Sequence, residues 1–251
     1  MMTNEITLQK LKEMRLSAMA DAFSQQLSDP QLLNLTFEER LSLLVDTEYL
    51  SRKNNKVYRL IRNATFDQSH ACIADVNYTN GRNLNKSMIQ QLATCKFIEA
   101  NNNVIIMGAS GAGKSYLACA IGMEACKHHF TVRYIRMPEL LLELAVARGE
   151  GIYQKYLKQL RKLKLLIIDD WMLHSLNEME SRDLLEIIHA RHKKVSTIFC
   201  SQFTPEGWHA RIPEAPLADA ILDRIVHDSY TIKIESTNND KSMREIYGIN
   251  L

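Results

Sequence analysis

One stretch of sequence decides the fold of this chain: GASGAGKS at residues 108–115. It fills every fixed position of the pattern G-x-x-x-x-G-K-[ST] and follows a short apolar run at residues 104–107. A strand that leads into this pattern and a helix that begins within it form a P-loop, whose backbone N–H groups point toward one bound phosphate. The sequence therefore predicts a nucleotide site in which a triphosphate is held at a helix N-terminus.

The residues of this loop have distinct expected roles. Lys114 is expected to reach the β- and γ-phosphates as a point charge, and the Ser115 hydroxyl to coordinate Mg²⁺. Glycines allow the backbone conformations that turn several N–H groups toward one point. The other predicted nucleotide contacts are Gly108, Ala109, Ser110, Gly111, Ala112, Gly113 and Tyr116.

A second apolar run, residues 165–168, ends in two carboxylates, Asp169 and Asp170. A continuous apolar run is typical of a parallel strand buried on both faces, and ligands of open α/β sheets bind at the carboxyl ends of such strands. This is a Walker B pattern. Asp169 is expected to hold Mg²⁺ and Asp170 to polarise the attacking water. Many ATPases carry Glu at the second position, so the shorter Asp170 indicates a tighter site or slow turnover.

Composition indicates a globular protein that remains in the cytoplasm. The chain has 251 residues, of which 46% are hydrophobic, and this is enough for a full core in one or two domains. No apolar stretch approaches the roughly 20 residues that span a bilayer, and the N-terminus alternates charges where a signal peptide has an apolar centre. The five cysteines form no C-x-x-C pair, so buried free thiols are expected.

Two basic runs without acidic residues stand out in a chain whose net charge is only +2. The first, residues 50–64, contains Arg52, Lys53, Lys56, Arg59 and Arg62. The second, residues 151–166, has Tyr153 and Tyr156 nearby and contains Lys155, Lys158, Arg161, Lys162 and Lys164. Taken alone, each run is as typical of a solvated helix face as of a surface that binds phosphates. Two such runs in one P-loop protein favour a phosphate-backbone partner such as DNA.

Periodicity divides the chain into a helical domain, residues 1–66, and a nucleotide-binding domain, residues 67–251. Asp29-Pro30 is expected to interrupt the first helices, and Thr36 with Glu39 forms a capping box for the helix that follows. A polar stretch at residues 75–86 is interpreted as a separator between the two domains. Beyond it strands and helices alternate, which predicts an α/β fold with a parallel sheet between helices.

Three further polar residues are candidates for completing an ATPase. Gln202 follows the strand predicted at residues 197–200, and it would lie near the γ-phosphate if that strand separated the P-loop and Walker B strands; Ser201 is the second choice. Arg224, near the end of an amphipathic helix, is of the kind that reaches into a neighbouring subunit's site. Arg244 is expected to contact the nucleotide within its own chain. For each, an ordinary strand-end or surface residue is the alternative.

Taken together, these segments resemble the IstB-like ATPases, the AAA+ helper proteins of insertion-sequence transposition. The resemblance rests on GASGAGKSYLACAIG, VRYIRMPELLLELA, LLIIDDW, STIFCSQ, Trp208-His209, LADAILDRIVH and KSMRE, and on EYLSRKNNKVYRLIRNATF in the N-terminal part. It implies an AAA+ three-layer αβα sandwich without a C-terminal helical lid, with Gln202 as sensor, Arg224 as arginine finger and Arg244 as second sensor. It further implies Mg²⁺-dependent ATP hydrolysis, ATP-dependent assembly into a homo-oligomer on double-stranded DNA, and a partner transposase.

Three other functions are compatible with the same motifs. A helicase loader of the DnaC type shares the nucleotide chemistry but has a replicative helicase as its partner. A small-molecule P-loop kinase would need an acceptor-binding lid after the Walker B region, and the sequence offers no segment for it. A non-enzymatic DNA-architecture protein would bind ATP without cleaving it.

Overall fold

The structure, a computed structural model, describes residues 2–78 and 83–235. The chain divides into two units, Met1–Arg59 and Leu60–Leu251. The domain limits that the sequence predicts, 1–66 and 67–251, stay a prediction that expression of either segment alone would test.

Helices form the first unit. Asp29 ends α2 and begins α3, where its carboxylate accepts a hydrogen bond from the Gln31 N–H at 2.9 Å. The predicted capping box at the start of α4 is confirmed, because the Thr36 N–H donates to the Glu39 carboxylate at 2.8 Å and the Glu39 N–H donates to the Thr36 hydroxyl at 3.3 Å. The helices are α1 (Met2–Glu13), α2 (Ser17–Ser28), α3 (Pro30–Leu33) and α4 (Phe37–Ala64), and the last five residues of α4 belong to the second unit.

From residue 103 onward the second unit alternates strands and helices as the sequence predicts, whereas the helices at residues 86–93, 96–99 and 205–209 have no counterpart among the predicted elements. Its strands are β1 (Asn103–Gly108), β2 (Val132–Arg136), β3 (Leu165–Asp169), β4 (Ser196–Ser201) and β5 (Ser229–Ile234). A 3₁₀ turn spans Ile73–Asp75, and the helices are α5 (Lys86–Ala93), α6 (Lys96–Glu99), α7 (Lys114–Lys127), α8 (Met137–Gly149), α9 (Tyr153–Lys162), α10 (Glu178–Arg191), α11 (Pro205–His209) and α12 (Ala215–Val226).

The five strands form one parallel sheet in the order β2-β3-β4-β1-β5. The register aligns Val104 of β1 with Ile198 of β4 on one side and with Tyr230 of β5 on the other. Because all strands run in the same direction, their carboxyl ends meet at one edge of the sheet. The order places β4 between the P-loop strand β1 and the Walker B strand β3. This is the strand arrangement under which Gln202 is expected to lie near the γ-phosphate.

Alternate residues of the strands enter two cores, one on each face of the sheet. In β3, Leu165 and Ile167 join the core that includes α7, whereas Leu166 and Ile168 join the core that includes α8, α9, α10 and α12. The predicted α/β fold with helices on both faces is confirmed. Among the described residues, no helix is both long and apolar enough to cross a membrane.

Candidate functional site

A cavity of about 730 Å³ lies at the carboxyl edge of the sheet, within the second unit. This volume is in the range of about 300–1,000 Å³ that is typical of small-molecule sites. The cavity brings together loop residues after β1, both aspartates at the end of β3 and the glutamine after β4. The predicted site residues that line it are Ser110, Gly111, Gly113, Lys114, Ser115, Tyr116, Asp169, Asp170 and Gln202.

The loop between β1 and α7 has the backbone geometry of a phosphate cradle. Gly111 and Gly113 have φ angles of +74° and +91°, which favour glycine. A Cβ atom at Gly108 would lie 2.8 Å from the Ile234 carbonyl oxygen, so this position also excludes a side chain. The Lys114 ammonium donates to the carbonyl oxygens of Gly108 and Ala109 at 2.9 and 2.8 Å, which holds it against the loop.

Asp169 is buried at the floor of the cavity, where both of its carboxylate oxygens are held. One accepts a hydrogen bond from the Tyr134 hydroxyl at 2.7 Å, and the other accepts from the Asp170 N–H at 2.8 Å. Burial, together with this bond to Asp169, raises the pKa of Tyr134, so the phenol remains a donor. No sequence signal marks Tyr134, because nothing in the run VRYIR distinguishes a phenol aimed at the next strand from a core aromatic.

Asp170 turns away from the strand in a left-handed conformation, with φ at +52°. Its carboxylate accepts hydrogen bonds from Nε and Nη2 of Arg136, at 2.9 and 2.7 Å. The bond to Asp170 raises the pKa of Arg136, which stays charged. Arg136 ends β2, and the register that pairs it with Asp169 explains why its side chain reaches the neighbouring carboxylate.

The end of β4 separates the two candidates for a water-orienting group. Gln202 is exposed and lines the cavity. Ser201 is fully buried, and its hydroxyl is bonded to the Trp171 carbonyl oxygen and to the Trp208 indole N–H. The geometry therefore favours Gln202, as the sequence did.

A wall of the cavity comes from residues 67–77 and from Leu84, and it includes part of the polar stretch 75–86 that the sequence interpreted as a separator. Whether that stretch separates two domains stays a prediction. The hydroxyl of Tyr116 bonds to both the N–H and the carbonyl oxygen of Cys72, at 3.2 and 3.4 Å, and so ties this segment to the first turn of α7. No periodic pattern marks these residues, so only the tertiary contacts reveal them. The additional lining residues are Asp67, Gln68, Asp75, Val76, Asn77, Leu84, Leu117 and Ile234.

Of the two candidate arginines, the structure describes only Arg224. Arg224 lies half-buried on α12, where its guanidinium donates to the Ala220 carbonyl oxygen at 2.6 Å, and it does not line the cavity of its own chain. Arg244 lies outside the described residues.

Comparison with known proteins identifies the family. A model of the family described as "IstB-like ATP binding protein" matches residues 9–245. The chain belongs to this family. A relative, the insertion sequence ATP-binding protein y4pL of Sinorhizobium fredii (strain NBRC 101917 / NGR234), is 40% identical over 238 residues, which cover 95% of this chain and 97% of y4pL. The chain is thus an ATP-binding protein and an ATPase of the AAA+ class.

Two solved structures share the fold of this IstB-like chain. The crystal structure of DnaI superposes with a TM-score of 0.57 at 22% identity and covers 66% of this chain and 92% of its own. The DnaC helicase loader superposes with a TM-score of 0.53 at 20% identity, over 70% of this chain and 98% of its own. At these identities the likeness concerns the fold alone.

Proposed function

We propose that this chain is a transposition helper that assembles on duplex DNA when it binds ATP, engages a partner transposase and is released by hydrolysis. The observation that carries the proposal is the cavity in which the P-loop, both Walker B aspartates and Gln202 meet. Membership of the IstB-like family and relatives named as insertion sequence proteins supply the transposition context.

Within the cavity the proposed roles follow from the contacts. Backbone N–H groups of the loop and the Lys114 ammonium bind the phosphates. The Ser115 hydroxyl and the Asp169 carboxylate offer oxygen ligands of the kind that Mg²⁺ prefers, and both line the cavity. Mg²⁺ held there would neutralise charge on the phosphates. Asp170 accepts a proton from water, and Gln202 orients that water by hydrogen bonding.

The charge of the cavity supports a site shared between subunits. Four aspartates and one lysine are the charged side chains among the described residues that line it, whereas ATP brings several negative charges. Additional positive charge is needed in the transition state. Arg224 lies on α12 outside its own cavity, so we propose that it acts in the cavity of a neighbouring copy. The proposed role of Arg244 as second sensor rests on the family resemblance.

Helix α9 is the proposed DNA-binding surface. Its inward residues, Leu157 and Leu160, are buried, and Tyr153 and Tyr156 donate hydrogen bonds to Asp183 and Glu143, so these tyrosines anchor the helix. The five basic residues of the run are exposed, and none makes an ion pair within the described part of the chain: Lys155, Lys158, Arg161, Lys162 and Lys164. A rigid helix with this outward face suits phosphate contacts without base reading.

The other basic run is a weaker candidate for DNA. Arg52, although exposed, donates to the Glu48 carboxylate at 2.7 Å and to the Arg15 carbonyl oxygen at 2.9 Å, so it serves the packing of the helical unit. Lys53 lies over the Tyr49 ring at 4.9 Å from its centroid. Because Arg52 and Lys53 already make these contacts within the chain, less of their positive charge is available to bind a DNA phosphate.

A DnaC-type helicase loader remains the second candidate function. The fold likeness to DnaI and DnaC supports it, but at 20–22% identity over about two thirds of this chain. The match of the IstB-like family over residues 9–245 favours the transposition helper.

The DNA surface is tested by charge reversal with a matched control. Lys158→Glu/Lys162→Glu on α9 is expected to weaken duplex binding equally for unrelated sequences, and to reduce the log-log salt slope by about 2, because two phosphate contacts are lost. Lys86→Glu/Lys96→Glu changes the net charge equally on α5 and α6, which pack against the opposite face of the sheet. Equal weakening by both pairs would show that only net charge matters and would refute α9 as the surface.

The shared site is tested by mixing inactive variants. Arg224→Ala and Asp170→Asn are each expected to stall hydrolysis, since one lacks the donated arginine and the other lacks the base. A mixture of the two should recover part of the activity, because some interfaces combine an intact cavity with an intact arginine. Full activity of Arg224→Ala alone, or no recovery in the mixture at any ratio, would contradict action between subunits.

A further inference from the structure

The Ser201 hydroxyl is a buried junction at the point where β3 and β4 end. It donates to the Trp171 carbonyl oxygen at 2.8 Å and accepts from the Trp208 indole N–H at 2.8 Å and from the Phe203 N–H at 3.1 Å. A hydroxyl has one donor and two acceptor positions, so all three are used. The side chain is completely buried, and its bonds connect three separate points of the chain.

One of these points is the turn that carries Asp170. Trp171 is bridged to β4 at both of its backbone groups, since its N–H donates to the Cys200 carbonyl oxygen at 2.8 Å and its carbonyl oxygen accepts from Ser201. The residues on either side, Asp170 and Met172, have φ angles of +52° and +54°. Such conformations are sterically unfavourable for residues other than glycine and persist only where surrounding contacts hold them. The bridge at Trp171 is such a contact.

The second point is the backbone around Gln202. The Ser201 hydroxyl accepts from the N–H two residues on, which closes a tight turn with Gln202 at its centre. Gln202 itself is exposed and lines the cavity, so the direction of its side chain depends on this turn.

The third point anchors the junction in the core. The Trp208 ring is fully buried and packs edge-on against Trp171, with ring centroids 6.0 Å apart. Trp171 packs in turn against Phe199 of β4 at 4.7 Å. Because the indole of Trp208 is fixed by packing, its N–H fixes the hydroxyl that bonds to it.

We infer that Ser201 is a positioning residue for ATP hydrolysis, whose hydroxyl holds Asp170 and Gln202 in a fixed mutual arrangement by joining Trp171, Phe203 and Trp208. The inference rests on the roles that the proposed function gives to Asp170 and Gln202. Ser201 is fully buried and is not among the residues that line the cavity, so it acts through the two strand ends. Its loss is therefore expected to slow the chemical step while ATP binds as before, since the P-loop contacts are untouched.

Ser201→Ala in the full chain tests this by a split between kcat and nucleotide affinity. We expect kcat for phosphate release, with and without duplex DNA, to fall about 10- to 100-fold, the effect of misplacing reacting groups by a fraction of an ångström to an ångström. The Kd for a fluorescent ATP analogue should be unchanged. Ser181→Ala is the matched control, because this serine is also fully buried and its hydroxyl donates to the Asn177 carbonyl oxygen at 2.8 Å in α10, away from the cavity. It should keep the parent kcat.

A second pair of variants isolates the bonds to the strand ends. Trp208→Phe removes the indole donor but keeps an aromatic ring, and Ser201→Ala/Trp208→Phe also removes the hydroxyl without leaving that N–H unsatisfied. The double variant should be about 10-fold or more slower than Trp208→Phe. If Ser201→Ala does not fold, the comparison of the double variant with Trp208→Phe still tests the role of the hydroxyl.

The outcomes are separable from those of the proposed function. Equal kcat for Trp208→Phe and the double variant would overturn the inference, since the hydroxyl would then serve only to satisfy the indole. A parent-like kcat in Ser201→Ala would overturn it as well. Parent-like hydrolysis by both Asp170→Asn and Gln202→Ala would instead refute the roles proposed for those residues, whatever Ser201→Ala does.

Discussion

Replacing Tyr134 by Phe tests how the buried Walker B carboxylate is kept in position. The substitution removes one hydroxyl, whose hydrogen bond to Asp169 is 2.7 Å long, and keeps the buried ring. A hydrogen bond to a charged group contributes about 1.5–3 kcal/mol, which corresponds to roughly 10- to 150-fold in a binding constant. Loss of a group that orients a metal ligand commonly costs about 10- to 100-fold in metal affinity.

We expect the lower end of this range, about a tenfold rise in the Mg²⁺ concentration for half-maximal hydrolysis. The reason is that the second carboxylate oxygen of Asp169 still accepts from the Asp170 N–H, which limits rotation of the side chain. The assay is steady-state phosphate release at fixed ATP while Mg²⁺ is titrated. At saturating Mg²⁺ the variant should approach the parent rate, because the groups that act on water are unchanged.

Tyr156→Phe is the matched control for this prediction. It also removes a phenol that donates to a carboxylate, that of Glu143, but neither residue lines the cavity. It should lower thermal stability without changing the Mg²⁺ dependence. If Tyr134→Phe and the parent were half-saturated at the same Mg²⁺ concentration, or if both tyrosine variants shifted equally, the reasoning about Asp169 would be refuted.

Two further predictions concern stability and thiol chemistry. Gly122→Ala should destabilise the fold by about 1–3 kcal/mol, because a Cβ there would lie 2.5 Å from Phe66 Cε1 and 2.8 Å from Ile167 Cδ1; calorimetry should show a lower Tm. Gly149→Ala in α8, where no atom lies within 4 Å of the new Cβ, should not lower Tm, and an equal loss in both would argue against overpacking. A thiol reagent at pH 8 should modify Cys72, which is partly exposed, well before the other cysteines, whose burial raises each pKa, to about 12 in three cases. The thiols expected to be protected are Cys95, Cys119, Cys126 and Cys200. Reaction of all five thiols at one rate in the native protein would contradict this prediction.

Much of the nucleotide site was predictable because its parts are local in sequence. The P-loop is contained within eight residues, and the strand before it ends one residue after the apolar run. Asp169 and Asp170 follow another apolar run directly. Parallel strands bring their carboxyl ends to one edge, so the meeting of these groups with Gln202 follows once a parallel sheet is predicted. The roles of the individual residues stay predictions until variants are assayed.

What the sequence by itself determined was therefore the five strands, most of the longer helices, the parallel sheet and the residues at the strand ends, since apolar periodicity and motif spacing act over a few residues. Tertiary structure alone decided that the stretch after Phe66 forms a wall of the cavity, that Tyr134 and Arg136 hold the two aspartates, and that Ser201 turns inward. The physical reason is that each of these depends on side chains meeting across about 30 residues or more of sequence. Such meetings are set by strand register and helix packing, which leave no periodic pattern in the chain.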